Sequence, residues 1–291
     1  MRAVIALVAV TAVWGVTFVQ VKDAVAIYPL FAFLAVRFAI ASATLAVPAA
    51  RRLRSLGPRG WRAGIVLGLL LALGYALQTA GLERTTVSSA GFITGLYVVF
   101  TPLIALLFFG TRIGLAVWVG VALSTVGLGL LSGIDSGRIG GDLLVLGGSA
   151  AYSLQIVLME RHAPRYDPLA FTLAEMLAAF AGFTVIAVAL GQVELPRGWT
   201  VWGALLVTGV FASALAYLVQ TWAQRRASAT QTELAFTMEP VWAGVFGFWL
   251  AGDRLGTWGW GGAALIMAGI LAAETAAADA LRRLVPGRRA A

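Results

Sequence analysis

Tyr75, Gln78 and Thr79 bring a phenol, a carboxamide and a hydroxyl to one side of a helix, and Tyr217, Gln220 and Thr221 repeat the set 142 positions later. Steps of three and four residues put side chains on one helical face. Three further stripes share this character: Trp14, Thr17 and Gln20, answered at an offset of 138 by Tyr152 and Gln155; Thr94, Tyr97 and Thr101; and Thr232, Glu239 and Trp242 around Pro240. Groups of these kinds suit binding. Amides and hydroxyls would hold the two ends of a zwitterion, and aromatic faces would take its side chain or its ammonium group. The bland alternative is that Gln and Thr bond helix to helix, at about 0.6 kcal/mol each, while the rings fill gaps.

Four ionisable side chains fall inside expected membrane spans: Arg37, Glu175, Glu233 and Glu239. An intramembrane charge costs at least about 3 kcal/mol, so each needs a partner, a water-filled cavity or a proton. Arg37 and Glu175 occupy equivalent places in the two copies. Glu239 is expected to face a cavity and to meet a substrate ammonium or exchange a proton; the alternative is a hydrogen-bonded structural glutamate. Pro102 and Pro240 lie within helical stretches, where each removes a backbone bond and kinks its span. Such kinks suit gates, or simply a fixed bend.

Other chemistries lack their materials. The chain has no cysteine and one histidine, so thiolate chemistry and His-pair metal sites are excluded. That histidine, His162, stands beside Glu160 and Arg161 in an expected loop. Lys22 is the only lysine, and no glycine-rich loop ends in Gly-Lys, so direct drive by ATP is not expected. No cofactor is expected. A membrane-embedded enzyme would have to use Ser/Lys or bare carboxylate chemistry. It stays open as an alternative class, as does a channel.

The elements that position these residues follow from composition. With 60% hydrophobic and 12% charged residues over 291 positions, and a mean hydropathy of +0.89, the chain cannot coat a water-soluble globule. Apolar stretches of about 20 residues span a bilayer as helices, the only open-chain state that leaves no backbone group unpaired in lipid. Ten such spans are expected, near residues 3–21, 29–50, 63–82, 86–109, 113–132, 141–160, 168–190, 199–222, 229–250 and 256–277. The fold class is therefore an all-α polytopic membrane protein. Of the 21 Lys and Arg residues, fifteen flank spans on the side that bears the N-terminus, five (Lys22, Arg84, Arg138, Arg197 and Arg254) lie opposite, and Arg37 is left inside. Both termini are then cytoplasmic, with a multi-pass inner-membrane location. The positive charge marks orientation, and no nucleic-acid partner is expected.

The offset of 142 also pairs Arg84 with Arg226, Gly110 with Gly252, Arg112 with Arg254, Gly114 with Gly256, Trp118 with Trp260, Gly120 with Gly262 and Gly127 with Gly269. The chain reads as one unit written twice: residues 1–138, then 139–280, then a basic tail over 281–291. Five spans per copy is an odd number, so the second copy must be inverted, a pattern that places a substrate site between the halves near the midplane. Glycines recur four apart at Gly64/Gly68, Gly91/Gly95, Gly129/Gly133, Gly110/Gly114 and Gly252/Gly256; most are expected to pack helices, and the last two pairs to flank short turns.

The run Gly91-Phe92-Ile93-Thr94-Gly95-Leu96-Tyr97-Val98-Val99-Phe100-Thr101-Pro102, the stretch Met238-Glu239-Pro240-Val241, and Leu250-Ala251-Gly252-Asp253-Arg254-Leu255 followed by Gly262 resemble the EamA-type drug/metabolite transporter superfamily. Trp14-Gly15 and Arg37-Phe38 fit its first repeat. The resemblance implies ten helices and a carrier that exports amino acids or related metabolites, most like the bacterial aromatic and broad-range amino-acid exporters, working as a monomer. Two features depart from the pattern: Thr111 stands where an acid is common, and Pro102 and Pro240 are four residues out of register.

Overall fold

A computed structural model describes residues 2–110, 114–132, 136–225 and 235–284. The described residues are almost wholly helical: α1 (Arg2–Val25), α2 (Leu30–Ala49), α3 (Gly57–Leu82), α4 (Val87–Thr94), α5 (Tyr97–Phe109), α6 (Leu115–Ser132), α7 (Ser136–His162), α8 (Pro168–Ala189), α9 (Gly198–Leu206), a π-helical stretch (Val207–Leu215), α10 (Ala216–Gln224), α11 (Met238–Trp249) and α12 (Thr257–Leu284). Among these residues eight stretches are long and apolar enough to cross a membrane, with Thr257–Ala273 a shorter apolar helix. The chain is a multi-pass membrane protein. Thr111, Arg112, Gly133, Arg226, Thr232 and Glu233, on which some sequence expectations rest, lie outside the described residues.

Two spans are more broken than the hydropathy pattern implies. The expected span over 86–109 is two helices, α4 and α5, meeting at Gly95 and Leu96. The span over 199–222 is continuous in path, but nine of its residues wind as a π-helix between α9 and α10. Pro240 stands in the first turn of α11, just after a turn at Thr237. It marks where that helix begins, since a proline nitrogen cannot bond back to the carbonyl four residues earlier.

Glycines set the close crossings. On α6 and α12, a Cβ on Gly120 would meet the Gly269 carbonyl at 2.6 Å, and one on Gly127 would meet the Gly262 carbonyl at 2.7 Å. The helices therefore run antiparallel, glycine against backbone, with the first glycine of one facing the last of the other. On α3 and α7, Gly74 lies under the Tyr152 ring and Gly81 lies on Gly141. This crossing is also antiparallel, and it delivers Tyr152 to the molecular centre. Gly15 on α1 seats against Trp242 and Ala243 of α11, and Gly91 on α4 seats against Ala243. Gly110 and Gly252, at φ of 63° and 70°, make the left-handed turns their spacing implied.

Helix ends are capped locally. Asp167 accepts from the Leu169 and Ala170 amides at 3.0 and 3.2 Å ahead of Pro168, and Thr86 accepts from Ser89 at 3.1 Å.

Candidate functional site

α1, α2, α3, α4, α5, α7, α10 and α11 converge on a central cavity of about 50 Å³. At about 10–15 Å³ of such space per molecule, this is room for roughly three to five waters. Twelve of the sixteen expected side chains that fall within the described residues line it: Trp14, Thr17, Tyr75, Gln78, Thr79, Thr94, Tyr97, Tyr152, Gln155, Tyr217, Gln220 and Glu239. The lining draws on residues from both ends of the chain, and the polar stripes of α1, α3, α7 and α10 face one another across it.

The aromatic wall is built of tilted and edge-on pairs. Trp14 stands 5.5 Å from Tyr217 and 5.4 Å from Phe236 between ring centroids. Tyr75 meets Tyr152 at 5.5 Å and Tyr217 at 6.4 Å, and Tyr97 meets Phe236 at 5.9 Å. Such edges and faces attract one another by about 0.5–1.5 kcal/mol per pair beyond burial. The Trp14 indole donates to the Ala212 carbonyl at 2.9 Å, within the π-helical stretch.

Its amides and hydroxyls are held by one another. Tyr152 Oη donates to Gln78 Oε1 at 3.1 Å while Gln78 Nε2 donates to Thr94 Oγ1 at 2.9 Å. Gln220 Nε2 donates to Gln155 Oε1 at 3.3 Å, and Gln155 Nε2 to Glu175 Oε1 at 2.6 Å. Glu175 is fully buried behind the lining, and its Oε2 has no hydrogen-bond partner.

Two position-matched pairs meet at the centre. Tyr217 Oη donates to Tyr75 Oη at 3.4 Å, across 142 residues of sequence. Tyr97 Oη lies 2.9 Å from Glu239 Oε2, again 142 residues apart, and donates to the Phe236 carbonyl at 3.0 Å. That carbonyl is available because Pro240, four residues on, has no N–H to offer it. A phenol has one proton for these two acceptors. Gly95 makes the approach possible, since a Cβ there would come within 2.8 Å of the Pro240 ring.

Four expected residues stand outside the cavity. Gln20 has a buried Oε1 without a partner. Thr101 donates to the Tyr97 carbonyl at 2.8 Å and pairs with Ser153 at 3.0 Å, and Thr221 pairs with Thr172 at 2.9 Å. Trp242 stacks on Phe246 at 6.1 Å over Gly15. Of the two prolines, Pro102 lies within α5 and is absent from the lining, as is Pro240.

The lining also holds Arg37, Phe18, Val21, Leu82, Ile156 and Phe236, which were not expected there as site residues. Arg37 is 2% exposed. Its Nε donates to Ser213 at 2.9 Å and its Nη2 to Tyr75 Oη at 2.9 Å, with the guanidinium carbon 4.4 Å from the Tyr75 ring centroid. Arg37 was visible as the lone cation in a span, but α2 is apolar at the neighbouring positions Phe33, Leu34, Ile40 and Ala41, so no stripe aimed it inward.

The sequence pattern of the EamA-like transporter family matches residues 1–133 and, a second time, residues 139–274. The chain belongs to the EamA-like transporter family. As a family member it is similar to an uncharacterized transporter of Archaeoglobus fulgidus, 30% identical over 267 residues that cover 90% of this chain and 82% of the relative. It is also similar to the uncharacterized inner membrane transporter YedA of Escherichia coli K12, 29% identical over 88% of this chain and 85% of YedA. A crystal structure of another protein, 18% identical, matches this EamA-like chain with a TM-score of 0.67 over 99% of both chains, a likeness of fold. The protein is thus a transporter, and the cavity is its candidate solute site.

Proposed function

We propose that this transporter is a secondary carrier that exports amino acids, aromatic and others, or related small metabolites, across the bacterial inner membrane. The observation that carries this reading is the enclosed wall of Trp14, Tyr75, Tyr97, Tyr152, Tyr217 and Phe236, set with amides and with the Glu239 carboxyl. Aromatic faces and a carboxyl suit an ammonium group and an apolar or aromatic side chain. The Tyr97 phenol cannot serve Phe236 and Glu239 in full, so a proton on Glu239, or a substrate ammonium beside it, completes the set.

The mechanism is alternating access by two inverted halves of five helices each, residues 1–138 and 139–280, within a ten-helix monomer. Supporting it are the double family match and the contacts at the centre. When Gly120 corresponds to Gly262 and Gly127 to Gly269, the crossings Gly120 on Gly269 and Gly127 on Gly262 map onto each other. The Tyr75–Tyr217 and Tyr97–Glu239 contacts each map onto themselves. Pairs of this kind arise at a twofold axis. A cavity of about 50 Å³ is far below the roughly 300–1,000 Å³ of ligand sites, so in this scheme it widens to take its solute. Both termini are cytoplasmic in this scheme, on the side rich in arginine, and the joint at Gly95, Leu96 and Pro240 is the place where a gate would bend.

Counterflow of labelled amino acids in proteoliposomes tests the reading. The expected result is saturable exchange, with Glu239→Gln lowering the rate and flattening its dependence on pH. Linear, unsaturated flux would identify a pore, and unchanged uptake and pH dependence in the variant would remove Glu239 from the mechanism.

A further inference from the structure

The Arg37 guanidinium is a permanent charge, because this side chain keeps its proton in any protein environment. It sits in a membrane-spanning helix, 2% exposed, on the wall of the cavity. Its neighbours among the described residues are neutral: a serine hydroxyl, a tyrosine hydroxyl and the aromatic rings of Tyr75 and Phe38. Among the described residues no carboxylate lies within ion-pair distance of it. Its two bonded nitrogens, Nε and Nη2, are turned to Ser213 and Tyr75. Nη1 has no hydrogen-bond partner among the described residues, and Arg37 is one of the residues that line the cavity.

A buried cation without a counter-ion is costly, and one on the wall of a binding cavity with N–H groups to spare is an incomplete ion pair. The side chain is also held rigid. Ser213 fixes it from the π-helical stretch, Tyr75 fixes it from α3, and Gly209 lets that stretch pack directly on the Arg37 backbone carbonyl. A guanidinium so positioned prefers a planar anion that can take two parallel N–H bonds. A phosphate dianion fits less well, because the same small cavity contains the Glu239 carboxyl and only one cation.

We propose that Arg37 is the carboxylate-binding residue of the cavity. The carrier then selects solutes with a carboxylate at the Arg37 wall, and for a zwitterion the ammonium group lies toward Glu239. This rests on the cavity's being the solute site and adds the pole that the polar stripes left unassigned.

Three probes with one side chain test it in the purified, reconstituted protein: L-phenylalanine, with both poles; 3-phenylpropionate, with the carboxylate alone; and phenethylamine, with the amine alone. In Arg37→Gln, half-saturation for phenylalanine and phenylpropionate should rise about tenfold or more, the loss expected for a charge-assisted pair, while phenethylamine stays within about twofold. Arg37→Lys keeps the charge without the fork and should fall between. If Arg37→Gln fails to run as a single species on size exclusion, Arg37→Lys and Ser213→Ala decide, each expected to weaken both carboxylate probes selectively. Equal shifts for all three probes, or none, would overturn the assignment while leaving amino-acid export intact. A wild-type carrier that refuses phenylalanine but binds phenylpropionate through Arg37 would sink amino-acid export and keep the assignment. Wild-type protein that binds neither carboxylate overturns it.

Discussion

The Tyr97 hydroxyl joins a backbone carbonyl freed by Pro240 to the Glu239 side chain, so one phenol ties the start of α5 to the start of α11. Tyr97→Phe removes both contacts and leaves the buried Phe236 carbonyl without its donor. At about 1–3 kcal/mol for a buried polar group left unmade, the variant should unfold at a lower temperature in detergent and exchange substrate more slowly, while keeping its oligomeric state. Residues of this kind were legible where type and spacing agreed, as with Tyr75, Gln78, Tyr217 and Gln220, which recur in register and reach the cavity together. Thr101 and Thr221 share those stripes but turn to neighbouring helices, because a helical arc several residues wide touches both a cavity and its walls. Phe236 could not be singled out by type, since a phenylalanine in an apolar span looks the same whether it faces lipid, core or solute.

Among the elements, glycine position separates helices that must touch from helices that merely run alongside. A Cβ on Gly91 would fall on Ala243, whereas Gly129 has nothing within 4 Å. Gly91→Val should therefore push α4 off α11 and destabilise the protein by about 1–3 kcal/mol, the range for overpacking, with Gly129→Ala close to neutral. Thermal unfolding of the two purified variants side by side checks this. Both glycines belong to pairs spaced four apart, so the sequence pattern alone gave them equal weight; only the partner helix distinguishes them. The helical spans themselves were readable from apolar length. The π-helical stretch was not, because Val-Thr-Gly-Val-Phe-Ala-Ser-Ala-Leu contains no residue that distinguishes a five-residue hydrogen-bond step from a four-residue one.

At the scale of the whole molecule, one end of the bundle is laced by polar bonds. Lys22 donates to the Thr85 carbonyl, Thr85 Oγ1 to Asp142 at 2.5 Å, Arg138 to Ser89 at 3.2 Å, and the Ser88 amide to Asp253 at 2.7 Å. These bonds join α1, α4, α7 and the segment between α11 and α12 close in sequence to the cavity residues Val21 and Leu82. Because the chain has no cysteine of its own, Leu82→Cys gives a single label site. A membrane-impermeant maleimide should react faster when Asp253→Ala is added, and equal rates would show that the lacing does not close this end. A final consequence follows from residues 207–215. Their counterparts at 65–73 belong to the regular helix α3, so the wide turn exists in one copy alone. For the halves to trade shapes in the proposed mechanism, α3 would have to take up a π turn or the stretch between α9 and α10 would have to shed its own. Two such arrangements differ in energy, so the alternating access proposed above gives the empty protein a preferred side to wait on.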